Sequence, residues 1–167
     1  MYIDDEDMNC CFERDGARFN YRVGAVIIED GCVLLATNES ADYYYSVGGR
    51  VHMGETAYHA VLREVKEETG VDYEVERPVF VHENFYVEPC GVNKGKRFHE
   101  ISMFYLMKPK GEKLKFPAGE CIDGREWLEW VPIDKLMDMR VYPSFLASRI
   151  NSLPHSIENI VTDETQD

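Results

Sequence analysis

Two apolar runs, "VGAVIIE" and "CVLLAT", are dense in β-branched and aliphatic residues and flank Asp30-Gly31, a dipeptide suited to a type I′ turn; the pattern predicts a β-hairpin. Upstream, "CCFE" and "ARFNYRVGAVIIE" predict strands around the turn "RDG". Between Thr56 and Gly70 the period changes to that of a helix. Ala57, Tyr58, Val61, Leu62 and Val65 fall on one apolar arc, with His59, Arg63 and Lys66 opposite. Thr56 is a candidate N-cap, and Gly70 suits the left-handed position that ends a helix. Before this helix, "ADYYYSVGGRVHMGET" holds too many glycines and turn residues for a long element and predicts a loop with strand fragments. After it, "VDYEVERPVFVHENFYVE" and "KRFHEISMFYLMK" predict two strands joined through "PCGVNKGK". A loop, a short strand over "REWLEWVP", a helix opened by Pro132 and a last short helix up to about Ile150 follow. The segment 153–167 turns polar and acidic and is expected to be partly disordered.

On the predicted helix, Glu64, Glu67 and Glu68 stand at i, i+3 and i+4, where like charges destabilise a helix by about 0.2–0.5 kcal/mol per pair. Glu64 and Glu67 lie at one edge of the apolar arc, and Glu68 projects between Ala57 and Val61 inside it, so Glu68 is expected to be partly buried. Half-buried carboxylates in a cluster need compensation, because desolvation and mutual repulsion both oppose ionisation. A hard divalent cation such as Mg²⁺ or Mn²⁺ suits a cluster of oxygen donors with no His or Cys. A solvated charged face, with Arg63 and Lys66 as partners, accounts for the same residues.

Composition narrows the classes. The 167 residues, 44% hydrophobic and 29% charged, suffice for one domain with a real core, expected over 1–152. Acidic residues outnumber basic ones 31 to 18, a net charge of −13, so duplex nucleic acid and anionic membranes are not expected partners. A small phosphorylated ligand is compatible with this charge where a divalent cation reverses the local field. Cys10, Cys11, Cys32, Cys90 and Cys121 form no C-x-x-C pair, the N-terminus has neither a basic start nor an apolar run, and no stretch is long and apolar enough to span a bilayer. The expectation is a cytoplasmic protein with reduced thiols.

The wider window "GGRVHMGETAYHAVLREVKEETGV" resembles the Nudix hydrolase signature G-x5-E-x7-R-E-U-x-E-E-x-G-U, where U is a bulky aliphatic residue. Gly49, Glu55, Arg63, Glu64, Val65, Glu67, Glu68, Gly70 and Val71 occupy every defined position. The resemblance implies an α/β/α sandwich with a mixed β-sheet between helices, and hydrolysis of the diphosphate linkage of a nucleoside diphosphate joined to another moiety X. A Nudix-like domain that binds a nucleotide without turnover is the alternative. The resemblance further implies that Glu67 and Glu68 are ligands of Mg²⁺ or Mn²⁺ and that Glu64 is a ligand or general base. The Gly48 carbonyl is a further candidate ligand, and Glu55 and Arg63 form a supporting pair that orients Glu64.

Members commonly recruit one more acid from a later strand or loop, for which Glu100 and Glu120 are the candidates. Substrate contacts are expected from residues outside the signature. Tyr45, within the run Tyr43 to Tyr45, and Phe85, beside Tyr86, are candidates to stack on a base, whereas packing within the sheet is the plainer role for such rings. Arg97, in the basic cluster with Lys94 and Lys96, is a candidate to hold terminal phosphates, with a solvated hairpin tip as the plainer role, and Arg50, next to the double glycine, is a further candidate substrate contact.

Overall fold

The computed structural model describes residues 8–89, 93–121 and 124–165, apart from the side chains of Glu120 and Cys121. The strands are β1 (Cys11–Arg14), β2 (Ala17–Val26), β3 (Ile28–Glu29), β4 (Cys32–Asn38) and β5 (Tyr44–Arg50). Helix α1 (Ala57–Thr69) follows, then β6 (Val75–Val87), β7 (Arg97–Met107), β8 (Gly119–Cys121), β9 (Gly124–Pro132) and β10 (Val141–Tyr142). Helix α2 (Phe145–Arg149) and β11 (Glu158–Asp163) complete the order. A 3₁₀ helix, Ile133–Asp138, takes the place of the helix expected after Pro132.

The strands form a mixed sheet in the order β11-β6-β7-β2-β5-β4-β9-β8, with β1, β3 and β10 attached at β2, β4 and β5. β2 runs parallel to β7 and β6 parallel to β11, and most other neighbours are antiparallel. Both expected tight turns form. Asp15-Gly16 and Asp30-Gly31 each have two successive positive φ angles, as a type I′ turn requires.

Alternation along the strands sends side chains to two cores. Val23, Ala25, Val47 and Val51 pack with Ala60, Val61 and Val65 of α1 on one face. Val26, Val33, Phe80 and Phe104 pack with Phe145 and Leu146 of α2 on the other. This is the expected α/β/α layering, with a mixed sheet in the middle. Tyr58 departs from the wheel. It is exposed, and Ala60 and Thr69 join the buried face instead.

Two segments correct the expectation. Residues 44–50 form one continuous strand, not a loop with fragments. The glycines that suggested a loop let β5 approach β2 closely: Gly48 has φ +144°, and a Cβ there would overlap the Val23 carbonyl. The second correction concerns the tail, where β11 pairs with β6 over six residues. Its alternation decides the outcome, with Ile160 packing on the α2-side core and Thr162 hydrogen-bonding His82 at 2.8 Å. Among the described residues no helix is long and apolar enough to cross a membrane.

Candidate active site

Helix α1 is fixed at both ends. The Thr56 side chain accepts the His59 N–H at 3.2 Å, and Gly70 takes the left-handed conformation beyond the last turn. Its start is tied to the preceding loop through Arg63, whose guanidinium donates to both oxygens of Glu55 at 3.0 Å. Arg63 also donates to the Arg50 carbonyl at 2.9 Å and to Glu64 at 2.8 Å, with a longer contact to Glu67 at 3.3 Å. Glu55 in turn accepts the His52 N–H at 3.1 Å. One planar fork therefore sets the loop, the end of β5 and the Glu64 carboxylate in register. Lys66 belongs elsewhere, paired with Asp72 at 2.8 Å.

The three helix carboxylates meet different surroundings. Glu67 is open to solvent at 57% side-chain exposure, whereas Glu64 is 15% exposed and lies against the α-carbon of Gly49. A Cβ at Gly49 would overlap the Glu64 carboxylate, which accounts for glycine there. Glu68 reaches a gap in the sheet. β4 pairs with β5 only at Leu35–Ser46 and Ala36–Tyr45, so among the described residues the backbone of β5 beyond Val47 lacks a strand on that side. Glu68 fills the place and accepts the Gly48 N–H at 2.8 Å.

Burial pushes the Glu68 carboxyl up to about 8, the Gly48 N–H opposes the shift, and the charges of Glu64 and Glu126 add to it. Burial also raises Glu64, against the hydrogen bond and charge of Arg63. The Arg22 charge lowers both. Among the described residues no three His, Cys, Asp or Glu side chains converge tightly enough to grip one ion as they stand. Arg63 holds Glu64 and Glu67, and the Gly48 N–H holds Glu68.

The NUDIX domain family model matches residues 18–148. The chain belongs to the NUDIX family. An ADP-ribose pyrophosphatase of Methanocaldococcus jannaschii is 30% identical over 117 residues, 68% of this chain and 64% of the relative, so the chain spans just under two thirds of that protein's length. A MutT protein from Bacillus halodurans shares the fold with a TM-score of 0.58 at 17% identity, covering 86% of this chain and 90% of the other. A MutT NUDIX hydrolase from Burkholderia pseudomallei does so with 0.57 at 24% identity, covering 77% and 95%.

The structure brings Gly48, Glu55, Arg63, Glu64, Glu67 and Glu68 together around one loop, one helix and one sheet gap. The candidates outside the Nudix window scatter. Tyr45 lies near the window and donates its hydroxyl to Glu126. Arg50 contributes its carbonyl to the Arg63 fork and is the β5 partner of Arg22. Phe85 stacks on His99 at 4.3 Å, and Arg97 donates to the Asp15 carbonyl at 3.4 Å beside the first hairpin. Neither Phe85 nor Arg97 is brought to the window. Glu100 accepts from Asn20 at 2.6 Å, and its charge is felt by His82 and Tyr86. Glu120 sits in β8 opposite Arg125, and its side chain lies outside the described residues.

Two residues were missed. Glu126 shares the face of β9 with Leu128 and Trp130, which pack on the α1-side core. An acid on the apolar face of an alternating strand is the signal that singled out Glu68 on the helix, and "REWLEWVP" carries it too. Arg22 has no such signal, because its importance comes from pairing β2 with β5 beside the double glycine.

Proposed function

We propose that the chain is a Nudix pyrophosphohydrolase, dependent on Mg²⁺ or Mn²⁺, that cleaves the diphosphate linkage of a nucleoside diphosphate joined to a moiety X. The observation that carries the reading is Glu68, a partly buried carboxylate at a gap in the sheet, which accepts the Gly48 N–H and feels the charges of Glu64 and Glu126. An all-oxygen donor set with surplus negative charge fits a hard divalent cation. Glu67, Glu68 and the Gly48 carbonyl would hold it with Glu64, and Glu126 joins Glu120 as a candidate for the additional acid. When bound, the cation neutralises phosphoryl oxygens and lowers the pKa of water.

The remaining work falls to the chain's own groups. Arg63 fixes the Glu64 carboxylate through the 2.8 Å hydrogen bond, and burial raises the affinity of Glu64 for a proton, which suits a base that accepts one from attacking water. Arg22 and Arg50, partners across β2 and β5, supply positive charge for the diphosphate. Tyr45 stays in the proposal through Glu126, whereas Phe85 and Arg97 do not.

A second reading, nucleotide binding without turnover, is favoured by one observation: Arg63 already pairs with two of the acids. A panel of ADP-ribose, UDP-glucose and nucleoside triphosphates, incubated with Mg²⁺ and with chelator, separates the two. Metal-dependent release of two phosphorylated products from at least one diphosphate is expected. Thermal stabilisation by these compounds without any hydrolysis would establish the binding module instead.

A further inference from the structure

The sheet face that carries α1 is covered at one end only. α1 packs on β5 and on the end of β2 that holds Val23 and Ala25. At the other end β1, β2, β7, β6 and β11 lie side by side, and a row of rings crosses them from strand to strand. Phe12 of β1 stacks on Phe19 of β2 at 5.2 Å, Phe19 meets His99 of β7 edge-on at 5.3 Å, and His99 stacks on Phe85 of β6 at 4.3 Å. The register sets these four residues directly opposite one another. Alternation along the strands adds Ile101, Val87 and Val161 to the same face. Phe12, Phe19, Phe85, Val87, Ile101 and Val161 belong to neither core, and Phe12 is 59% and Val161 65% exposed.

Contiguous apolar side chains left open over five strands mark an interaction surface. The charges around them indicate the partner. With a net charge of −13 two copies of the chain repel each other over most of their surfaces. On this face Arg14 and Arg97 stand with Glu83 and Asp163, so basic and acidic side chains balance. Their placement is also self-complementary. Arg97 lies two residues before His99 in β7 and Glu83 two residues before Phe85 in the antiparallel β6, so the two flank the ring row on opposite sides. A half-turn about the row lays like ring on like ring and sets Arg97 of each copy beside Glu83 of the other. A two-fold contact requires one patch that is complementary to itself, and two sheets stack face to face at about 10 Å with their inner side chains interdigitating.

We infer that the chain forms a two-fold dimer through this face, with the ring row along the axis and Arg97 paired with Glu83 across the interface. The occupant of the open face is a second copy of the chain. Sedimentation velocity of the full chain over a dilution series reads the monomer–dimer equilibrium without any substrate, so the test stands apart from the hydrolase reading. The expected result is a dimer whose dissociation constant rises at least tenfold in Arg97→Glu and in Glu83→Lys, each of which sets like charges together, and returns toward the parent value when the two reversals are combined. Phe12→Lys changes a side chain already largely in water, so it should weaken the dimer by a similar factor while the melting temperature holds. Melting curves for the other variants confirm that they fold. A monomer at every concentration would leave the face to a different protein, and a dimer unmoved by these substitutions would use another surface; either overturns the inference. A double variant that dimerises no better than the single ones would remove the pairing of Arg97 with Glu83, and with it the arrangement about the ring row.

Discussion

The Glu68 carboxylate accepts the backbone N–H of Gly48 at 2.8 Å, taking the place of a strand where β4 leaves β5. The same contact puts an acid into a partly buried position, and its carboxyl is pushed up to about 8 from an ordinary 4.5, first by burial. A raised folded-state value means that the protonated form favours folding. In metal-free protein, stability present below about pH 4.5 is lost as pH rises toward and through 8. Glu68→Gln removes this dependence and raises metal-free stability at pH 8 by about 1–2 kcal/mol, measured by denaturant titration across pH 5 to 9. A variant that is less stable than the parent at pH 8 contradicts the assignment.

Arg63 joins three carboxylates and a carbonyl from one fork. Lysine has the charge without the geometry, so Arg63→Lys is expected to lower stability by about 1–3 kcal/mol. Its effect on kcat should exceed its effect on KM, because Glu64 loses its orientation. Steady-state kinetics beside a melting curve check this, and a change in KM alone would point to a substrate contact.

The two glycines of the double glycine should separate. Gly49→Ala meets the carboxylate end of the Glu64 side chain and not backbone, so activity should fall by at least tenfold while the fold survives. Gly48→Ala meets the Val23 backbone at a φ of +144°, and should destabilise the protein by more than about 1 kcal/mol. Equal stability of the two variants would contradict this division.

Removing residues 156–167 deletes β11 and its hydrogen bonds to β6, including Thr162 to His82 at 2.8 Å and Glu164 N–H to the Phe85 carbonyl at 2.8 Å. Burial holds His82 down to about 4, neutral at physiological pH. Truncation should expose it, lower the melting temperature by several degrees, of the order of 4 °C per kcal/mol lost, and return the His82 titration toward its usual range by NMR. An unchanged titration would show that β11 does not cover His82.

What the sequence conveyed follows from the range of each signal. Helix α1, its caps and the Asp15-Gly16 and Asp30-Gly31 turns are set by residues a few positions apart, and their spacing was sufficient. The burial of Glu68 was legible from the wheel, but the Gly48 N–H that it satisfies was not, because the gap between β4 and β5 arises from pairing across the sheet. Glu126 could have been found by applying alternation to β9. Arg22 could not, since only the register of β2 on β5 brings it near the acids. The tail misled because its composition is polar, although Ile160 and Thr162 alternate inward.

The central claim is that this carboxylate cluster holds a divalent cation through Glu68. Mn²⁺ binding, followed by calorimetry or by the loss of the free-ion paramagnetic resonance signal, tests it directly in the parent and in Glu68→Gln. Saturable binding by the parent is predicted, weakened at least tenfold in the variant, with protons released on binding near pH 7 only by the parent. Equal affinity in the two proteins, or no saturable binding in either, would contradict the account.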